Sequence, residues 1–167
     1  METTLALIKP DAMMGGHFYD ILGHMKREFI IGDISVTRWG TALAREFYEE
    51  HEGKPYFNDF VEFTSSGPIA AITLIGDDAV ARWRKRIGAT DSAKAEQGTI
   101  RYIYGYRATV DPNGPVMYNA VHGSDSVENA QREINIVALG LAEYEALGFG
   151  QLARAIIADP DRLGRRR

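Results

Sequence analysis

The amino-acid sequence predicts an α/β sandwich, in which one four-stranded sheet carries helices on one of its faces. Three observations indicate this fold class. Short apolar runs bounded by Gly or Pro alternate with segments of helical periodicity. The resulting order, roughly β-α-β-α-α-β-α-loop-β-α, is that of a split βαβ fold. The length of 167 residues suits a single domain with a substantial buried core.

Four strands follow from apolar runs and from the residues that stop them. The run "TTLALIKP" is short and ends at Pro10, which is typical of a buried strand. Alternation in "IGDISVTRW" and glycine boundaries around "PIAAITLI" predict two more strands. The fourth is "VMYNAVH", preceded by a small hairpin of two weak strands around the turn Asp111-Pro112-Asn113-Gly114.

Five helices follow from apolar stripes and capping residues. They are predicted to start at about Tyr19, at Thr41 (ending at Gly53), after Pro55, after Asp77 or Asp78, and after His122. The predicted stripes are Phe57, Phe60, Val61 and Thr64 in the third helix, Val80, Trp83 and Ile87 in the fourth, and Val127, Ala130, Ile134, Val137 and Ala138 in the fifth, which Asp125 and Glu128 would cap. Residues 88–105 are expected to form a long loop, and the tail "DPDRLGRRR" to be mobile.

Composition excludes several classes of protein. The formal net charge of −4 disfavours binding to nucleic acid or to anionic membranes. The chain has no cysteine, which excludes disulfides and thiolate chemistry. The start "METTLALIKPDAMM" lacks the basic residues and unbroken apolar region of a signal peptide. No apolar window reaches the ~20 residues of a membrane span, so a cytoplasmic protein is expected.

The segment "NAVHGSDSVENAQREIN" places His122 where an apolar strand meets the start of a helix. Gly123 permits a sharp turn and the close approach of a ligand. Ser124 opens a helix whose N-terminus favours anions. Glu133 lies two turns further on, where its carboxylate can accept one ring N–H and leave the other ring nitrogen as a nucleophile. The alternative is a histidine with a purely structural role at a strand end.

Three cations indicate what such a nucleophile would attack. Lys9 ends a strand in "IKPD", Arg101 follows "GTI" in the predicted long loop, and Arg84 lies between them in sequence. Separated cations that converge on one histidine fit phosphoryl transfer, in which catalysis is mainly positioning and charge neutralisation. Taken singly, each cation also fits a surface salt bridge, and that alternative stays open.

These segments together resemble the motifs of nucleoside diphosphate kinases. The resemblance runs from about residue 3 to about residue 137 and is carried by "TLALIKPDA", "SGPIAAI", "GATDSAKAEQGTIR" and "NAVHGSDSVENAQREI". It implies a ferredoxin-like four-stranded antiparallel sheet. It also implies ping-pong transfer of a γ-phosphate from a nucleoside triphosphate to a nucleoside diphosphate through a phosphohistidine. Mg²⁺ would be carried by the nucleotide phosphates, with no metal site in the protein, and the chain would form a homo-oligomer.

The resemblance also implies roles for ten residues. His122 would be the phosphorylated residue, Glu133 and Ser124 would orient it, and Tyr48 would lie beside it. The residues expected to contact the nucleotide are Lys9, Tyr56, Arg84, Thr90, Arg101 and Asn119. Tyr56 stands where the family has a phenylalanine that stacks on the base, and its aromatic face should preserve that stacking. Plainer alternatives are half-buried aromatics for the two tyrosines, a turn residue for Thr90 and an edge polar group for Asn119.

Three parts of the chain depart from the family pattern. After "KPDA" the family usually has an arginine, where this chain reads "MMGGHFYD". The loop at about 106–118 is longer than in most members, and the segment from about 140 does not match the usual ending. The chain is still expected to be one nucleoside diphosphate kinase-like domain over residues 1–167. Two rival functions stay open: a phosphohistidine carrier, and a non-catalytic module that binds nucleotides or nucleic acid.

Overall fold

The computed structural model describes residues 1–106 and 118–146, with side chains up to residue 142. The strands are β1 (Glu2–Ile8), β2 (Ile30–Arg38), β3 (Pro68–Gly76) and β4 (Val121–Gly123). The helices are α1 (Pro10–Met14), α2 (Phe18–Lys26), α3 (Thr41–Phe47), α4 (Phe57–Ser65), α5 (Ala79–Ile87), α6 (Ile100–Tyr104) and α7 (Val127–Ala146). The predicted hairpin around residues 111–114 and the C-terminal tail lie outside the described residues.

The four strands form one antiparallel sheet in the order β2-β3-β1-β4. This confirms the predicted ferredoxin-like sheet. The short strand β4 pairs only with β1, where His122 lies opposite Leu7 and Gly123 opposite Ala6. Because β1 is paired on both sides, it holds β4 at the sheet edge and fixes the backbone position of His122. None of the helices in the described part of the chain is long and apolar enough to cross a membrane.

The prediction that helices cover one face of the sheet is wrong, because both faces carry an apolar core. Ala6 and Ile8 contribute to one core, and Leu5 and Leu7 to the other. The reason lies in the central strands, which are apolar at nearly every position rather than at alternate positions. A strand of that kind is buried on both sides.

The two cores contain different helices. On one face α2 and α5 contribute the fully buried Ile21, Met25 and Trp83. On the other face α3, α4 and α7 pack together, with Phe47 and Val61 among the buried residues. The site described below draws residues from helices on both faces of the sheet. This is possible because helices cover both faces.

Several helix boundaries differ from the predictions. Helix α3 starts at Thr41 with Gly40 as its cap residue, and it ends at Phe47 before a 3₁₀ turn, Glu49–His51. Helices α1 and α6 were not predicted, and α6 interrupts the expected loop 88–105. Both contain only five residues, which is too short for a 3.6-residue period to be visible in sequence. In α4, Phe57, Val61 and Thr64 are buried as predicted, Phe60 is half-buried against the same core, and Phe63 is also buried.

Helix α7 faces the core with a different stripe from the one predicted. Ala130 and Val137 are buried, but Val127 and Ala138 are exposed, and the buried set includes Glu133. Apolar periodicity cannot identify a buried carboxylate as an inward position. The predicted stripe therefore lies on a different side of the helix from the residues that are buried. The cap also differs, since the Ser126 hydroxyl accepts the Asn129 N–H at 3.0 Å.

In α5 the predicted inward residues Val80, Trp83 and Ile87 are buried. Asp78 occupies the cap position, although its side chain makes no capping hydrogen bond. The Trp83 indole packs against Gly123, where an added Cβ would lie 2.5 Å from the ring. The sequence suggested that Gly123 allows a turn or a ligand. The structure shows a further reason for glycine at this position, which is that Gly123 makes room for a tryptophan of the core.

Gly123→Ala should therefore destabilise the fold by about 1–3 kcal/mol, the usual effect of overpacking a core. Gly23→Ala in α2 is a matched control, because nothing lies within 4 Å of its added Cβ. It should stabilise the helix by about 0.5–1 kcal/mol. Urea unfolding of the two variants and the parent checks both signs. A Gly123→Ala variant as stable as the parent would show that the indole can move aside.

Candidate active site

A cleft of about 290 Å³ brings together most of the residues predicted from sequence. All ten except Ser124 and Tyr56 line it, namely Lys9, Tyr48, Arg84, Thr90, Arg101, Asn119, His122 and Glu133. These residues come from the ends of β1 and α3, from α5 and the loop after it, from α6 and α7, and from the β4 region. Residues distant in sequence therefore meet around one histidine.

The His122 ring is anchored at one nitrogen. Its Nε2 lies 3.0 Å and 3.1 Å from the two carboxylate oxygens of Glu133. Among the described residues, Nδ1 makes no hydrogen bond. A carboxylate that accepts the Nε2 proton fixes the neutral ring in one tautomer and leaves a lone pair on Nδ1. The ring is thus held in one orientation, and Nδ1 is the nitrogen left available to react.

Glu133 is held in turn by Ser124. Only 3 % of Glu133 is exposed, and a buried carboxylate is costly unless it is hydrogen-bonded. The Ser124 hydroxyl donates to Glu133 Oε2 at 2.6 Å and accepts the Leu5 N–H at 3.3 Å. The Ser124 N–H donates to the Leu5 carbonyl. The backbone of β1 therefore fixes the orientation of His122 through the side chains of Ser124 and Glu133.

Two aromatic residues that sequence reasoning missed also fix His122. The Phe47 ring stands edge-on to the imidazole, with centroids 5.3 Å apart and an interplanar angle of 73°. The Trp83 Nε1–H donates to the His122 carbonyl at 3.0 Å. The apolar positions of α3 and α5 in the sequence indicated burial of these rings but not which residue they would contact.

A tight turn precedes β4. The Val121 N–H donates to the Asn119 carbonyl at 2.7 Å, and Ala120 between them has φ of +67°. A γ-turn of this hand is rare, and such strained backbone costs about 1–3 kcal/mol. The Asn119 side chain accepts from Lys9 Nζ at 2.7 Å and donates to the Thr90 carbonyl at 2.9 Å. The turn thus aims Asn119 at two other residues of the cleft.

The cleft brings two buried cationic side chains, Lys9 and Arg101, close to the exposed Arg84. Burial lowers the pKa of Lys9 to about 7, with Asp11 opposing the shift and Arg101 adding to it. Burial also lowers the pKa of Arg101 to about 10, and Arg84 contributes as a second positive charge nearby. Arg101 donates to the carbonyls of Gly88 and Val121, each at 3.0 Å. Its buried Nε has no hydrogen-bond partner among the described residues.

The aromatic residues form a series that leads outward from His122. Tyr48 is buried against Phe47, and burial raises the pKa of its hydroxyl to about 12, so that the phenol stays protonated. Further out, Tyr56 contacts the rings of His51 and Phe60, with centroids 5.8 Å and 5.1 Å away. His51 and Phe60 line the cleft, whereas Tyr56 does not. His51 and Phe60 were not predicted as site residues.

Comparison with known proteins gives a consistent result. The family model described as nucleoside diphosphate kinase matches residues 2–139. A nucleoside diphosphate kinase of Dehalococcoides mccartyi strain CBDB1 is 41% identical over 138 residues, which is 81% of this chain and 91% of the relative. One from Pelotomaculum thermopropionicum is 40% identical over 151 residues, covering 90% and 94% of the two chains.

Solved structures agree with this. The Aquifex aeolicus nucleoside diphosphate kinase superposes with a TM-score of 0.74 at 39% identity and covers 81% of this chain and 94% of its own. A Halobacterium salinarum enzyme, solved in complex with CDP, gives 0.71 at 34% identity over 81% and 86%.

Fold and similarity together define a kinase that acts on nucleotides. The chain belongs to the nucleoside diphosphate kinase family, whose members transfer the γ-phosphate of a nucleoside triphosphate to a nucleoside diphosphate through a phosphohistidine.

The tautomer of His122 should depend on Glu133. In the parent protein the neutral ring is expected to carry its proton on Nε2, and Glu133→Ala should give a mixture of tautomers. The lost charge-assisted bond should also weaken the orientation of the ring by about 1.5–3 kcal/mol. Glu133→Gln keeps an oxygen that accepts the proton and serves as the control. Ring ¹⁵N chemical shifts measure the tautomer directly, and an unaltered spectrum for Glu133→Ala would remove the carboxylate from this role.

Proposed function

We propose that His122 is the phosphorylated residue of this kinase and that Nδ1 is the attacking atom. The observation that carries this proposal is the pair of contacts between Nε2 and the Glu133 carboxylate, at 3.0 Å and 3.1 Å. The Nδ1 lone pair forms the N–P bond to the γ-phosphorus. The bond from phosphorus to the β,γ-bridging oxygen breaks, and its electron pair leaves with the diphosphate. The Nε2 proton stays on the ring, where Glu133 stabilises the added positive charge.

The second half of the reaction reverses the first. A nucleoside diphosphate occupies the same cleft, and its terminal oxygen attacks the phosphorus as the N–P bond breaks toward Nδ1. A single site and a single nucleophile are sufficient for both halves, which gives ping-pong kinetics.

The cations of the cleft are proposed to hold the phosphate chain. Arg101 and Lys9 are buried, and Arg84 and Thr90 are exposed at the rim. Groups fixed before the substrate arrives stabilise developing charge without reorganisation, which is the main source of catalysis in phosphoryl transfer. The Nε of Arg101, which has no hydrogen-bond partner in the part of the chain that the structure describes, offers one further donor for a phosphate oxygen. Lys9 and Asn119, joined at 2.7 Å, are proposed to reach the sugar hydroxyls and the reacting phosphate as well.

Tyr56 is proposed to stack on the base. It lies at the outer end of the aromatic series, in ring contact with His51 and Phe60. Base stacking is tolerant of base identity because every base presents a π-face. A platform of this kind suits a kinase with a broad range of nucleotide substrates.

A kinase of this family generally needs a divalent cation, and we propose Mg²⁺. Mg²⁺ keeps several waters and commonly binds through substrate phosphates rather than in an all-protein cage. The described side chains around Arg84, Thr90 and Arg101 suit phosphate oxygens, so the ion is expected to arrive on the nucleotide. When bound, it neutralises phosphate charge. A cytoplasmic location, a single domain and a homo-oligomer all remain predictions.

Retention of the Glu133–Ser124 pair favours a catalyst over the two rival functions. A non-catalytic binding module has no use for a buried carboxylate anchored at 2.6 Å by a hydroxyl. A phosphohistidine carrier needs no aromatic platform for a base and no polar contacts to a sugar.

His122→Ala should abolish both exchange and labelling, because it removes the nucleophile. Two measurements check this: a coupled assay with ATP and a second nucleoside diphosphate, and acid-labile labelling by radiolabelled ATP. His24→Ala is the matched control, since His24 lies in α2 away from the cleft and should keep both activities. Full labelling of the His122→Ala variant would reject the assignment. Labelling of the parent without exchange would identify a carrier.

Nucleotide binding should take up a proton at pH 8. Burial depresses the pKa of Lys9 to about 7 in the free protein, so at pH 8 the amine is mostly neutral. Bound phosphates favour the charged form and raise that pKa, which draws about one proton from solution. Calorimetry in buffers of different ionisation enthalpy measures the uptake. Lys9→Met should abolish it, and equal uptake by the two proteins would contradict the assignment of Lys9.

A further inference from the structure

Asp11 is a residue of the "KPD" segment to which the mechanism above gives no role. Its carboxylate Oδ2 accepts the Ala120 N–H at 2.9 Å. The Lys9 N–H donates to the carbonyl of the same alanine at 2.8 Å. Residues 9–11, at the junction of β1 and α1, therefore engage both backbone groups of Ala120. Asp11 supplies the only side chain in this clamp.

The clamp acts on a strained part of the backbone. Ala120 is the central residue of the γ-turn, with φ of +67°, a conformation that residues other than glycine rarely adopt. Such a conformation persists only when surrounding contacts over-determine it. Asn119 is the first residue of this turn and His122 directly follows its last residue, so the position of the turn sets the position of both side chains.

The same carboxylate acts electrostatically on Lys9. Its charge raises the pKa of the lysine, against burial and against the positive charge of Arg101. The other Asp11 oxygen, Oδ1, is buried and has no hydrogen-bond partner among the described residues. The other ionisable groups that line the cleft with Lys9 are Tyr48, Glu50, His51, Arg84, Arg101, His122, Asp125 and Glu133.

We propose that Asp11 is a positioning residue for the kinase reaction, holding the Asn119–Val121 turn in place and favouring the charged form of Lys9 when nucleotide phosphates arrive. The second role rests on the proposed function of Lys9. One short acidic side chain thereby couples the backbone geometry of the nucleophile to the charge of the phosphate-binding amine.

Two substitutions separate the roles. Asp11→Asn keeps an oxygen that can accept the Ala120 N–H but removes the charge, so the pKa of Lys9 should fall below its value of about 7. Proton uptake on binding of ADP at pH 7 should then rise from about one half toward one per nucleotide. KM at pH 8 should rise several-fold, about the effect of a lost ion pair, while kcat changes less than about twofold. Asp11→Ala also frees the turn and should lower kcat about tenfold or more.

The controls make each outcome decisive. Asp20→Asn, at an exposed carboxylate of α2, should leave proton uptake, KM and kcat unchanged. In a Lys9→Met background, Asp11→Asn should no longer alter proton uptake. Unchanged uptake and KM in Asp11→Asn, or unchanged kcat in Asp11→Ala, would overturn the proposal. If Asp11→Ala does not fold, Asp11→Asn alone decides. Proton uptake that survives Lys9→Met would instead reject the proposed role of Lys9.

Discussion

The bond between His122 Nε2 and the Glu133 carboxylate is the interaction on which the rest of the site depends. It decides which ring nitrogen is free and therefore the direction from which a phosphate must approach. The bond persists because Glu133 is buried and because Ser124 ties it to the backbone of β1. A histidine that is anchored by hydrogen bonds to a central strand of the sheet moves little as substrates exchange. Such rigidity is what a shared site needs when two different nucleotides must meet the same atom in turn.

The cleft holds several features that oppose folding. A positive φ at Ala120, a buried lysine and a buried arginine with an unbonded Nε each destabilise the protein without substrate. Under the proposed function, Lys9 and Arg101 bind the phosphates, and the strained turn at Ala120 positions Asn119 and His122. The two apolar cores on either side of the sheet supply the stability that lets this strain persist. If these residues bind phosphate as proposed, the site is organised before the anion arrives, and the energetic cost falls on folding rather than on the transfer step.

Much of the fold and site could be predicted from sequence, because motif residues and apolar runs are local signals. The four strands, the stripe of α5 and the residues that surround His122 follow from such signals. The second face of helices was missed although β1 and β3 carry its signal, because strands that are apolar at nearly every position are typical of burial on both sides. The stripe of α7 was missed because its inward face includes Glu133, and α6 because five residues carry no period. The contacts of Phe47, Trp83 and Asp11 depend on pairing between distant segments, which no local pattern encodes.

Trp83 donates to the His122 carbonyl and fills the space left by Gly123, so one side chain belongs both to the core and to the neighbourhood of the nucleophile. A substitution of Trp83 would alter both the packing of the core and the position of His122. The buried half of the cleft should therefore vary little as the sequence evolves. The exposed half consists of Arg84 and Thr90, with the half-buried His51 and Tyr56 nearby. These side chains do not fill the core as Trp83 does. Differences in nucleotide preference between this chain and its relatives are thus expected to accumulate at His51 and Tyr56, beside the proposed base platform, where a substitution can alter recognition without a penalty in folding.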